Sequence, residues 1–366
     1  MKKFIDFITN EKNHKFVIPA IAIFLGFFVG SIILILTGQN PIKLFTSLIR
    51  GVLGIDISRI GSGRSIFNSR YVGEYFVSAM PIILTGLSVA FAFRTGLFNI
   101  GAEGQLLVGS FASVAAGVTL DLPGFILLPV VILSGTLAGA IWGFVPGILK
   151  AKFNVHEVVV TIMMNYTALY LTNYYLKQLP GSDNVKSVPL PAGATLKSDF
   201  LVEMTNRSRL HWGFILIIIA IFIFWYIIEK TTFGYELKAV GYNPHAAKYA
   251  GMKVERNAAL SMAIAGAFSG LAGTVIAIGT FGYGRVLGSF ENYGFEGIAV
   301  ALVGGNTALG SLFGGLLFGS LNAAQPVMQS SGIPRDIAII ISSTIILFVA
   351  MQNGIKIILK RIKGAK

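Results

Sequence analysis

Apolar runs of membrane-spanning length recur from one end of this chain to the other, and they leave few folds open to it. A helix of about 20 apolar residues is long enough to cross a hydrocarbon core about 30 Å thick. Ten such windows can be drawn: 16–37, 75–93, 97–118, 124–149, 155–177, 212–229, 257–278, 291–304, 307–328 and 336–355. The eighth is too short to cross alone as a straight helix. In lipid every backbone polar group needs an internal partner, so this pattern predicts a helical bundle. Composition agrees, with 54% hydrophobic and 12% charged residues and a mean hydropathy of +0.74. A soluble domain carries about 25% charged residues, and this chain has too few to cover a water-facing surface. The expectation is an all-α polytopic membrane protein with one transmembrane domain over residues 1–366.

The charges then fix topology rather than a polyanion site. The net charge is +13, but the 29 Lys and Arg residues are dispersed without a dense basic patch, so no nucleic-acid partner is expected. Placing them by the positive-inside bias puts both termini in the cytoplasm. That orientation gives a cytoplasmic N-terminal segment (1–15), outer loops at 38–74 and 178–211, and a cytoplasmic loop at 230–256. The first apolar run, Phe16 to Thr37, is too long for a signal-peptide core and lacks a small-residue cleavage pattern, so it reads as an uncleaved span. The chain has no cysteine, which excludes disulfides and thiol chemistry. Its four histidines, His14, His156, His211 and His245, show no metal-ligand spacing, so no metal site is expected.

Two acidic residues interrupt the apolar background with the same local spelling. Gly101-Ala102-Glu103-Gly104 and Gly294-Phe295-Glu296-Gly297 fall in the third and eighth windows. A carboxyl group there faces a packed interior or a wet path, not lipid. Windows two to five and seven to ten are equal in number and opposite in direction, and the acidic segments sit in the second member of each set. That is the pattern of an inverted repeat, whose broken segments point to a solute pathway. Each acid has two readings at this level: a tight packing device or a group lining the path.

The fifth window adds a polar stripe. Glu157, Thr161, Asn165 and Thr172 recur at offsets of four, four and seven, along one helix face. Such a stripe is either interhelical glue or one wall of a path. Asn322 and Gln325 in the ninth window, and Glu291 and Asn292 beside the eighth, could extend the lining. Phe98, Tyr166, Tyr170 and Tyr293 could stack a ring. A glycine-rich bend is expected between Gly279 and Tyr293. No nucleophile–base pair appears, so a membrane enzyme is disfavoured.

The cytoplasmic loop encodes its own short helix. Asn243 is an N-cap, Pro244 fits the first helical position and Gly251 fits a left-handed stop, giving a helix over about 244–250. Ala246, Ala247 and Ala250 are small enough for close contact, so the segment reads as a docking element. The chain has no G-x-x-x-x-G-K-[ST] loop; Gly61-Ser62-Gly63-Arg64-Ser65 lacks the lysine and the spacing. ATP-driven transport would need its ATPase on another subunit.

Four ordered blocks carry a family resemblance. FAFRTGLFNIGAEGQLLVGSFAS (91–113), NVHEVVVTIMMNY (154–166), LKAVGYNPHAAKYAGM (237–252) and YGFEGIAVALVGGNTALGSLFGG (293–315) resemble the permease subunits of ATP-binding cassette importers for branched-chain amino acids, ribose-type sugars and nucleosides. The His-Glu-Val-Val block and the long form of the chain are most similar to the bacterial nucleoside branch. The resemblance implies a vitamin B12-importer-like permease fold in the bacterial cytoplasmic membrane. It further implies a second permease, a cytoplasmic ATPase with two nucleotide-binding domains, and an extracytoplasmic substrate-binding lipoprotein. ATP and Mg would bind the ATPase, with no cofactor on this chain. By the same resemblance Phe98, Asn99, Gly101, Glu103, Gly104 and Gln105 flank the pathway; the residue pattern itself adds the stripe residues, Tyr166, Asn292, Glu296 and Asn322 as candidate lining. Gly241, Asn243, Pro244, Ala246, Ala247, Lys248, Tyr249 and Gly251 correspond to the ATPase-coupling segment. The expected solute is a nucleoside; a monosaccharide such as ribose, or ion-coupled transport without an ATPase, are the alternatives.

Overall fold

The computed structural model describes residues 14–61, 65–351, 354 and 357. Parts of the expected N-terminal segment, the Gly61–Ser65 stretch and the basic tail lie outside the described residues. Fourteen helices follow in order: α1 (His14–Leu36), α2 (Ile42–Leu53), α3 (Ser69–Arg94), α4 (Ala102–Thr119), α5 (Gly124–Phe153), α6 (Glu157–Lys177), α7 (Asp199–Met204), α8 (Gly213–Lys230), α9 (Thr232–Tyr242), α10 (Pro244–Tyr249), α11 (Val254–Thr274), α12 (Tyr293–Val303), α13 (Ala308–Ser330) and α14 (Arg335–Ala350). Each of the ten apolar windows has its helix. Four helices are long and apolar enough to cross a membrane by length and composition: Ser69–Arg94, Gly124–Phe153, Gly213–Lys230 and Val254–Phe281, the last continuing α11 through a π-helical turn.

The chain divides into two compact units, residues 1–71 with 320–366, and residues 72–319. In the first, α1 packs on α14, and a side chain added at Gly30 would stand 2.9 Å from Ile341. Its α2 is a short amphipathic helix inside the expected outer loop, and it ends at Gly54, which takes a left-handed φ of 71°.

The second unit is built around α3, whose stretch from Val77 to Ala92 is almost entirely buried. Phe91 anchors the core there, edge-on to Phe224 of α8 with ring centroids 5.6 Å apart. Helices α5 and α11 meet through glycines on both sides: Gly135, Gly139 and Gly143 against Gly266 and Gly270, with Gly147 against Ala259. A Cβ at Gly139 would stand 2.6 Å from the Gly270 Cα, which allows backbone contact only. Small residues at every fourth position bring helices this close in lipid. The opposite face of α5 carries Leu133, Leu137 and Ile141, all more than half exposed. Leucine outward and glycine inward reverses the soluble pattern, and fits a helix whose outer solvent is hydrocarbon.

Three boundaries differ from the sequence expectation, each for a local reason. The third window starts as a turn, because Gly96 adopts φ +74° and the helix begins only at Ala102. The Gly279–Tyr293 bend begins later than expected, since π-helical turns run to Phe281 and Gly282 then reverses the chain at φ +76°. The loop 230–256 holds two helices instead of one. The first, α9, is capped by Thr231, whose Oγ1 accepts the Gly234 N–H at 3.0 Å. The loop 178–211 also folds inward: Leu190, Ala194 and Leu196 are buried against Val114, Val131 and Ile278.

Candidate functional site

The two acid-bearing segments meet. Glu103, in the first turn of α4, is wholly buried, and the N-terminus of α12 closes over it. Its Oε1 accepts the N–H groups of Glu291 and Asn292 at 3.0 Å each, and its Oε2 accepts that of Gly294 at 2.6 Å. The amides of Asn292 and Gly294 are among the orphan donors that every helix start presents, and all three lie at the positive end of its dipole. Glu103 is therefore the N-terminal cap of α12, supplied from 191 residues away. Gly294 is required by the same approach, because a Cβ there would enter the backbone of Ala102 and Glu103. Thr85 of α3 adds a third strand of contact, its hydroxyl reaching the Tyr293 carbonyl at 2.8 Å. Glu296 lies half-buried in the first turn of α12.

Ahead of α4 the turn 95–101 is locked by amides. Asn99 and Gln105 exchange two side-chain hydrogen bonds, at 2.9 and 3.1 Å, and Asn99 also donates to Ser88. Both amides are buried. Phe98 stacks on Phe93 with centroids 5.1 Å apart.

The stripe on α6 faces this turn. Asn165 accepts the Gly104 N–H at 2.8 Å and donates to the Ile100 carbonyl at 3.0 Å. Thr161 packs on Gly101, with a Cβ there only 3.0 Å away, and its hydroxyl bonds back to the Glu157 carbonyl. Glu157 pairs with Lys150 at 3.1 Å. In this arrangement Thr161 and Asn165 join α6 to α4, the interhelical reading of the two the stripe allows. The exposed face of α6 is a different one: Val159, Met163, Tyr166, Tyr170 and Tyr174. Tyr166 meets Phe290 edge-on at 5.1 Å.

The segment between Gly282 and Asn292 is an ordered wall. Asn173 clamps Leu287, donating to its carbonyl at 2.7 Å and accepting its N–H at 2.9 Å. Arg285 grips Glu291 with two bonds, at 2.8 and 2.6 Å, while its guanidinium lies over Phe281. These side chains, with Ser110 and Thr172, bound a polar cavity of about 20 Å³. A larger groove of about 630 Å³, lined by Ile218, Phe222, Trp225 and Leu309, is almost wholly apolar. Asn322, also among the expected lining residues, belongs to the other unit, where it accepts from Gln325 at 3.3 Å.

The α9–α10 hairpin has the expected caps. Asn243 accepts the Ala246 N–H at 3.1 Å, Pro244 opens α10, and Gly251 takes φ +81°. Ala247 is buried, whereas Tyr242 and Tyr249 project at 93% and 99% exposure. Lys248 is paired with Glu255. Gly241 lies at the end of α9, against the backbone of Arg94 and Gly96.

Sequence reasoning missed three groups here. In the sequence Arg94 is one of the dispersed basic residues, yet its Nε donates to the Asn306 carbonyl at 2.9 Å and it pairs with Glu229 at 3.1 Å. Asn173, next to Thr172, lies off the four-residue register and so escaped the stripe. His211 lies buried at the end of the loop 178–211, its Nδ1 accepting the Gly213 N–H at 3.1 Å. A carboxylate at a span end, such as Glu229, was the one available signal for the first.

Comparison with known proteins follows this geometry. The model of the branched-chain amino acid transport system / permease component family matches residues 71–350. The chain is 47% identical over 351 residues to the guanosine ABC transporter permease protein NupP of Bacillus subtilis, covering 94% of this chain and 96% of the relative. It is 38% identical to the nucleoside ABC transporter permease protein NupB of Lactococcus lactis, with 98% and 96% covered. It is 30% identical to the glucose ABC transporter permease protein TsgB13 of Haloferax volcanii, with 92% and 88% covered. No solved structure matches the chain.

Proposed function

This chain belongs to the family of branched-chain amino acid transport system permease components, and from that premise we propose that it is the translocating subunit of a nucleoside importer. It is a multi-pass membrane protein and a transport component rather than an enzyme. The observation that carries the solute class is the 47% identity, over nearly the whole length of both chains, to a permease named for guanosine. The glucose relative, at 30%, supports a monosaccharide as the second reading.

Ten spans arranged as an inverted repeat, in a vitamin B12-importer-like fold, are the architecture we infer. The helix bounds support it, since each half contributes a short acid-bearing helix, α4 and α12, that meets the other through Glu103. ATP and Mg would be bound and hydrolysed on a separate ATPase with two nucleotide-binding domains. That ATPase would dock on α10, where Asn243, Pro244, Ala246, Lys248, Tyr249 and Gly251 build a capped, exposed helix. An extracytoplasmic binding lipoprotein would deliver the solute.

A second permease completes the path in this reading. The enclosed polar cavity of about 20 Å³ holds about one water, while small-molecule sites run to about 300 Å³ and more. The missing wall is then supplied between two permeases, and the exposed tyrosines of α6 are well placed to stack a base. A further permease named for guanosine, NupQ of Bacillus subtilis, is 29% identical to this chain, as expected if such subunits work in pairs. Access alternates as the two permeases rock against one another.

Uptake of labelled nucleosides and sugars by cells with and without the gene tests the proposal. Guanosine and other nucleosides are expected to enter only with the gene. Uptake of sugar alone would move the assignment to the second reading, and uptake that survives a disabled partner ATPase would favour ion coupling.

A further inference from the structure

The α9–α10 hairpin grips the turn that leads from α3 into α4. The grip has two parts. The first is steric: a Cβ at Gly96 would lie 3.2 Å from the Cα and carbonyl oxygen of Gly241, and one at Gly241 would lie 2.5 Å from the Arg94 carbonyl. Only two glycines allow α9 to rest its backbone directly on residues 94–96. The second is ionic: Glu229, at the end of α8, pairs with Lys238 of α9 at 3.0 Å and with Arg94 at 3.1 Å.

Arg94 carries the tie onward in two directions. Along the chain it leads within eight residues to Ala102, where α4 begins and Glu103 holds the start of α12. Across space its Nε donates to the carbonyl of Asn306, in the turn that follows α12. The segment 94–103 thus touches α12 at both ends, at its start through Glu103 and just past its finish through Arg94. Thr95 is fixed to Ser261 of α11 at 2.7 Å, so the turn is braced from behind.

We propose that Arg94 and Gly96 form the joint through which displacement of the α9–α10 hairpin moves α4 and α12 together. Arg94 and Gly96 are positioning residues; neither touches solute. A backbone-to-backbone contact has no side chain to yield, so the hairpin cannot shift without moving the turn. The inference rests on the ATPase-driven reading above, because it presumes that a partner moves the hairpin.

The test uses the assembled importer in proteoliposomes and reads nucleoside taken up per ATP hydrolysed. Two variants cut the joint differently. Gly96→Ala wedges a methyl group against Gly241, and Arg94→Gln removes the ties to Asn306 and Glu229 together. The expected result is a fall in the ratio on the order of tenfold or more, as for other small misplacements of a working geometry, with ATP hydrolysis and the half-saturating solute concentration nearly unchanged. Gly96→Ala also strains a left-handed residue; if it does not assemble, Arg94→Gln and the milder Glu229→Gln decide the matter. An unchanged ratio in the variants that assemble would overturn the joint. Parallel loss of hydrolysis and uptake would overturn it too, since that signature belongs to a damaged fold. A wild-type complex that hydrolyses ATP without importing nucleoside would instead overturn the functional reading, leaving the two failures separable.

Discussion

Glu103 shows how one residue can be conspicuous in sequence while its role stays open between two readings. Its placement in an apolar segment marked it correctly as costly to bury, and two explanations followed. The geometry favours one, with both oxygens accepting from the backbone that opens α12. Glu103→Gln keeps one acceptor and turns an amide NH₂ toward an N–H group, leaving a buried donor unpaired. The expected cost is about 1–3 kcal/mol, read as earlier thermal unfolding of the detergent-solubilised protein, with uptake reduced in step. A stability unchanged from wild type, with uptake lost, would return Glu103 to the solute path. His211 gives a pH signature. Burial, then the nearby charges of Arg209 and Lys197, push its pKa down to about 4 from 6.5. The unfolded chain takes up that proton first, so stability is fully present above pH 6.5 and declines as pH falls toward about 4. His211→Asn, which keeps an acceptor for Gly213, is expected to flatten melting temperature across that window.

Helices and their caps carry the next set of expectations. Gly139→Ala gains about 1 kcal/mol of helix propensity, but its methyl group would press on the backbone of Gly270 at 2.6–2.8 Å. Backbone cannot rotate away, and overpacking costs about 1–3 kcal/mol or more. The variant should therefore melt earlier, whereas Leu137→Ala, on the exposed face, should leave detergent-solubilised stability within about 0.5 kcal/mol. At the hairpin, Asn243→Ala removes the only side-chain cap on α10, at a cost of about 1 kcal/mol. A six-residue helix has little else to hold it, so faster hydrogen exchange at Ala246 and weaker ATPase binding are expected. Unchanged exchange would mean that packing of Ala247 alone sustains the helix. Both the start and the stop of α10 were legible beforehand, because caps are local chemistry. The preceding α9 was missed: its Thr231 cap sits in a run whose apolar periodicity is too short to announce a helix.

Taken as one molecule, the chain offers a direct test of its orientation. It contains no cysteine, so a single introduced thiol reports one side of the membrane. Val185→Cys, in the outer loop, should react with an impermeant maleimide on intact cells. Tyr249→Cys, at 99% exposure on α10, should react only after permeabilisation. The reverse pattern would invert the topology. Membrane class and the approximate bounds of the long apolar helices were available from the linear chain, because apolar length and cap chemistry act over a few neighbouring residues; the short helices α2, α7 and α9 were not. The four ordered blocks likewise pointed to the permease family. Partner choice was not available in this way. That Asn165 faces Gly104, that Glu103 closes α12, and that Gly96 bears on Gly241 each join segments 61, 191 or 145 residues apart. Periodicity reports which face of a helix is polar, but not what lies opposite it. Only packing sets that, because a buried donor or acceptor takes the partner that the surrounding helices bring within 3 Å.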